Sequence, residues 1–135
     1  MNVIKIIKAL LDTLKANGWD VTFNKQWFDF REVRNFPLIS LFILEESPIE
    51  HKGTSYKQEL SAHIEGFIDS NNDESIYHLI SDIKTALLIP EFPFTISYQG
   101  YEINLPEDGA SVVSVRIKFK IIYLENMTRS FDDRV

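Results

Sequence analysis

The chain has 135 residues, the size of one ordinary domain, because single hydrophobic cores usually run to roughly 100–150 residues. Hydrophobic side chains make up 44% of it and aromatic ones 13%, which is enough to bury a core and excludes intrinsic disorder as the default state. Fourteen basic against twenty acidic side chains leave a formal charge of −6, the wrong sign for gripping nucleic-acid phosphates, and the lack of cysteine excludes a disulfide framework, a thiolate nucleophile and a zinc–sulfur site.

In chain order, Val3, Ile4, Ile7, Leu10, Leu11 and Leu14 recur at three- and four-residue steps between Lys5, Lys8, Asp12 and Lys15, which predicts an amphipathic helix. Lys5 and Lys8 break the apolar run and no small-residue cleavage site follows, so a targeting segment is not expected and the mature chain is expected to start at Met1. Asn17-Gly18 marks the helix end. Trp19, Val21 and Phe23 then alternate with Asp20, Thr22 and Asn24, the period of a strand with one buried face. Residues 25 to 36 fit neither period and read as a surface loop. Pro37 opens Leu38-Ile39-Ser40-Leu41-Phe42-Ile43-Leu44, a run apolar on both faces apart from Ser40, which predicts a strand covered from two sides. The run is far shorter than the roughly 20 residues of a membrane-spanning helix.

Glu45 to Ser55 carries Pro48, Gly53 and several charges with little apolar mass, and reads as a mobile connection. From Tyr56 to Asp69, Leu60, Ala62, Ile64 and Ile68 share one parity and Glu59, Ser61, His63 and Glu65 the other, with Gly66 permitting a bulge. Ser70 to Glu74 offers capping oxygens and acids for a second helix, whose stripe is Ile76, Leu79, Ile80, Ile83 and Leu87 and which Pro90 and Pro93 stop. Phe94, Ile96 and Tyr98 alternate, Gln99-Gly100 reads as a turn, and Ile103 and Leu105 suggest a return strand. After Asp108-Gly109, Val113, Val115, Ile117, Phe119, Ile121 and Tyr123 alternate with Ser114, Arg116, Lys118 and Lys120 in the clearest strand of the chain. This order predicts an α+β domain over residues 1–124, a mostly antiparallel sheet with two α-helices packed on one face, followed by a tail over 125–135. Two helices leave one sheet face and the Leu38–Leu44 strand bare, which predicts self-association.

No chemistry stands out. His51, His63 and His78 share no metal-ligand spacing, and Glu59, His63 and Glu65 on one strand face are a common surface pattern. Adjacent acids such as Glu45/Glu46 and Asp132/Asp133 point apart, and no nucleophile elbow or glycine-rich phosphate loop occurs. No catalytic, cofactor-binding or metal-ligating residue is therefore assigned. The basic row Arg116, Lys118 and Lys120 is expected to pair with the acidic row Glu59 and Glu65 across strands rather than to bind nucleic acid. Trp27, Phe28, Phe30 and Tyr56 suit either core packing or a partner. The candidate self-interface is Phe28, Phe30, Leu41, Tyr56, Glu59, Glu65, Arg116, Lys118 and Lys120.

The stretch from Asn35 to Phe42, the acidic variable segment after it and the stretch from Tyr56 to Phe67 resemble the tail terminator proteins of long-tailed bacteriophages, above all the lambda-like minor tail protein U family. The resemblance rests on a Phe-Pro-led strand after a short N-terminal helix, an aromatic followed by Glu-Leu opening the next strand, and a helix and alternating strand closing the domain. It spans most of the chain and lacks a counterpart at residues 89 to 111. It implies a structural subunit, not an enzyme, that forms a homo-hexameric ring on the head-proximal end of the tail tube, stops tube growth and presents a head-docking surface. The implied partners are further copies of itself, the major tail tube protein and the head connector, with DNA only as cargo and no membrane. The implied place is the virion tail, assembled in the bacterial host cytoplasm. The rival readings are a small oligomeric ligand-binding or regulatory α+β domain and a cofactor-free enzyme with its site between subunits.

Overall fold

The computed structural model describes residues 1–25, 37–69, 74–105 and 112–126. Its elements are α1 (Val3–Ala16), β1 (Asp20–Phe23), β2 (Leu38–Lys52), β3 (Ser55–Asp69), α2 (Ser75–Leu88), β4 (Thr95–Asn104) and β5 (Val112–Asn126). The five strands form one mixed sheet in the order β1-β2-β3-β5-β4; β1 runs parallel to β2 and the other pairs are antiparallel. Both helices lie on one face, so the expected α+β class is the observed one.

The helices form where their apolar stripes allow. Asn2 caps α1 by accepting the Lys5 amide at 3.0 Å, and the stripe it buries is Ile6, Leu10 and Leu14. Ile4, expected in that stripe, points to solvent. The chain leaves α1 through Asn17 and Gly18, whose amide bonds Lys15 O at 2.9 Å. In α2 the buried residues are Ile76, Leu79, Ile80, Ile83, Ala86 and Leu87, the expected stripe with Ala86 added.

Under the helices lie Ile39 and Leu41 of β2, Leu60, Ala62, Ile64 and Ile68 of β3, and Val115, Ile117, Phe119, Ile121 and Tyr123 of β5. The parity read from β3 and β5 is thus the parity that folds. Gly66 does not make a bulge: it pairs in register with Ile39 and Val115, and a Cβ there would lie 2.8 Å from Leu79 Cδ2. Its missing side chain is what lets α2 approach the sheet.

Two expected connections are strand. Glu45–Lys52 continues β2 and pairs with Ser55–Ser61, with only Gly53 and Thr54 in the turn. Gly53 has φ of +59°, as the first position of a two-residue hairpin loop requires. Pro48 fits because β2 is an outer strand there and needs no second ladder amide. Gln99-Gly100 is not a turn either; β4 runs through it with a bulge between Tyr98 and Gly100. Of the stretch 25–36 read as a loop, residues 26–36 lie outside the described residues, as do the caps at Ser70–Asp73 and residues 127–135 of the tail, whereas Glu125 and Asn126 belong to β5.

Candidate functional site

The face of the sheet away from the helices is polar. Across β3 and β5 it presents Glu65 opposite Arg116, His63 opposite Lys118 and Ser61 opposite Lys120, with Glu102 of β4 opposite Arg116 on the far side. Lys120 Nζ lies 3.0 Å from Glu59 Oε1, Arg116 Nη2 lies 3.9 Å from Glu65 Oε1, and Lys118 pairs with Glu102. The expected pairing of basic and acidic rows is present, and β4 supplies a partner that the rows did not include. Lys118 holds the Glu102 carboxyl below the usual carboxylate range by hydrogen bond and charge.

His63 is the buried member of this face. Its ring lies 4.8 Å from that of Phe42, and burial, aided by Arg116 and Lys118, pulls its pKa down to about 4, so it is neutral near pH 7. Beside it a groove of about 280 Å³ is lined by Leu44, Gln99, Arg116, Lys118 and Lys120 among others. Arg116 Nε is buried there without a hydrogen-bond partner. Among the described residues no group of three His, Asp or Glu side chains converges as metal ligands, and no helix is long and apolar enough to cross a membrane.

The expectation of a bare apolar face needs correction. Leu38, Ile39 and Leu41 are buried, and Ser40, wholly buried, donates from Oγ to Lys25 O at 2.9 Å. Exposed apolar side chains are found further along the same strands, as well as at Ile4, Ile89 and Leu105. Past Leu41 the sheet loses β1, and past Ile122 it loses β4, leaving a three-stranded arm of β2, β3 and β5. Bulges between Ile43 and Glu45 and between Pro48 and Glu50 leave Leu44 and Ile49 out of register, 62% and 48% exposed. On the opposite side of the arm Leu124 is 63% exposed. It borders a notch of about 470 Å³ with Phe92, Pro93, Phe94, Ile122 and Lys57, in which Phe92 and Phe94 stack with centroids 4.9 Å apart.

The arm is braced on its underside. His51 and Tyr56 stack at 4.1 Å, and the Tyr123 hydroxyl donates to Glu46 across β3 and lies 3.3 Å from Glu125 Oε2. Burial first, then these two carboxylates, push the Tyr123 phenol far above its ordinary pKa, so it stays a donor.

Of the candidate self-interface, Glu59, Glu65, Arg116, Lys118 and Lys120 gather on the polar face, while Tyr56 lies on the opposite face. Leu41, 1% exposed, is a core residue and offers nothing to a partner. Phe28 and Phe30 lie outside the described residues. Leu44, 62% exposed, belongs to the Leu38–Leu44 run expected to self-associate; the sequence reading missed Ile49, Leu124, Phe92 and Phe94. No sequence signal marked Ile49, because Glu45–Lys52 has solvent on both sides and its bulges are written in the strand pairing alone.

No protein-family model matches the sequence, and no curated protein matches it.

Proposed function

We propose that this chain is a structural subunit of a tail terminator ring of long-tailed bacteriophages, which caps the head-proximal end of the tail tube, stops its growth and receives the head connector. In this reading it catalyses nothing, needs no cofactor, meets DNA only as cargo and works in the virion after assembly in the host cytoplasm. The observation that carries the reading is the arm. Three strands continue beyond the part of the sheet where β1 and β4 are paired, and they hold Ile49 and Leu124 in water, with Leu44 exposed on β2 just before the arm begins. A three-stranded ribbon whose edges have no partner among the described residues, with exposed aliphatic side chains, is a hazard to a monomer and an asset to an assembly. The element order, from the N-terminal helix to the long closing strand, agrees with the resemblance carried by residues 35–42 and 56–67. The acidic balance suits a channel through which DNA slides without sticking.

The test is to incubate the purified chain with purified tail tubes and image them. Hexameric rings on one end of each tube, and a ring-sized species in sedimentation, are expected. A monomer at high concentration that ignores tube ends would overturn the reading.

The groove beside His63 favours a second reading, a small domain that binds an oxyanion through Arg116. It predicts a higher melting temperature in citrate or phosphate, lost in Arg116→Gln. The ring reading predicts no such shift.

A further inference from the structure

We propose that successive copies of this chain join arm to arm, the outer edge of β2 in one copy lying along the bare end of β5 in the next and placing Ile49 in the notch formed by Phe92, Phe94 and Leu124. This rests on the ring reading and adds which surfaces meet.

Three features of the arm carry the inference. The first is backbone. Among the described residues, no strand pairs with β2 on its outer side beyond Leu41, or with β5 on its outer side beyond Ile122. The Ile43 amide is taken by Asn24 Oδ1 at 3.3 Å; beyond it each edge offers amides and carbonyls that a strand of another copy satisfies. The second is shape. The β2 edge is knobbed, because its two bulges push Leu44 and Ile49 out of register, whereas the β5 side is hollow, with the stacked pair Phe92 and Phe94 facing a cavity of about 470 Å³. The third is charge, and it is local: Glu45, Glu46 and Glu50 are exposed on β2, and Lys57, which stands opposite Glu50 in the same ribbon, is the cation lining the notch.

The two edges lie on opposite sides of one ribbon, since β3 separates β2 from β5. Their contact is accordingly head to tail. It uses two unlike surfaces, leaves one of each free on every open chain of copies, and closes only as a ring.

Ile49→Glu on the knob and Leu124→Glu on the notch test this directly. Ile49 is 48% and Leu124 63% exposed, so circular-dichroism melting of the monomer is expected to stay nearly unchanged for both. Self-association, read by sedimentation, is expected to weaken roughly 100-fold in each variant alone. An equimolar mixture of the two is expected to give one-to-one dimers and no larger species. The Leu124→Glu copy keeps an intact β2 edge and the Ile49→Glu copy an intact notch, so only one good contact forms. Lys57→Glu, an exposed change on the notch rim, replaces Leu124→Glu in the mixture should the latter melt early.

Rings that form normally in both variants would overturn this contact and leave the ring reading standing. Loss of association in Ile49→Glu with normal assembly of the notch variant would overturn it in favour of a symmetric contact. A wild-type chain that stays monomeric with and without tail tubes would remove the ring reading itself, and this contact with it.

Discussion

The same three strands live in two environments. At the end where β1 and β4 complete the sheet, Ile64, Ile117 and Ile39 are wholly buried beneath α1 and α2. At the other end Glu45, Glu46 and Pro48 to Thr54 are exposed, and the strands are held by a tight turn, a His51–Tyr56 stack and the Tyr123 hydroxyl on Glu46. Strand length here exceeds what the core requires. A hydrophobic core fixes register through one buried face, but continuing a ladder beyond it takes only paired backbone and cross-strand side chains. The first region is a fold and the second is a fixture attached to it. Under the proposed function, that fixture acts between copies.

The sharpest way to break this contrast is to truncate one side chain from each region. Ile64→Ala opens a cavity between its cross-strand neighbours Leu41 and Ile117 in the core, and is expected to cost about 2–5 kcal/mol in denaturant unfolding. Ile49→Ala is expected to change the monomer by less than about 0.5 kcal/mol. Equal costs would show that the arm is part of the core and that its exposed aliphatic side chains need no partner.

A somewhat smaller effect distinguishes the polar face from the arm by pH. The His63 ring has a pKa of about 4 in the folded chain against 6.5 for an unperturbed histidine, and it is packed by Phe42, Glu65, Arg116 and Lys118. Between those values the unfolded chain binds a proton that the folded chain does not. Stability contributed by the neutral ring is therefore full above about pH 6.5 and is lost as the pH falls toward 4. Up to about 3 kcal/mol is at stake. In His63→Gln, unfolding free energies measured between pH 4 and 7 are expected to fall less steeply than in the wild type. Parallel slopes would mean that the ring is already charged or solvated, and that the face around it is as wet as the arm.

How much of this was legible depended on whether a residue had two different sides. In β5, Val115, Ile117, Phe119 and Ile121 face helices while Arg116, Lys118 and Lys120 face water, so the period of two is written plainly. The α2 stripe was legible for the same reason. Glu45–Lys52 has solvent on both sides, so no alternation records its pairing, and Pro48 and Gly53 read as loop chemistry although an edge strand and a two-residue turn both accept them. Gln99-Gly100 misled through a shared chemistry, since a bulge and a turn favour the same residues. The Leu38–Leu44 strand was read as bare because its apolar count was visible while its cover was not: Leu41 faces the core, and Ser40 is satisfied by Lys25. The basic row and its acidic partners were legible by parity, but the pairing of Lys118 with Glu102 required knowing that β4 lies next to β5.

The smallest expected effect concerns the pair that the sequence named correctly. Lys120 and Glu59 meet at 3.0 Å, with side chains 40% and 29% exposed, so water competes for both ends of the bridge. Such pairs contribute between roughly 0 and 1 kcal/mol. Lys120→Met keeps the stem that covers the sheet and removes only the charge. It is expected to shift unfolding by about 0.5 kcal/mol at low salt. In 1 M salt, where charges are screened beyond about 3 Å, the difference should vanish. A loss several times larger that persists in high salt requires a desolvated bridge, hence a cover over the polar face in the native protein. In that case the partner surface lies on the face of the sheet as well as on the arm. A small, salt-sensitive loss leaves the exposed arm as the proposed region of contact between copies.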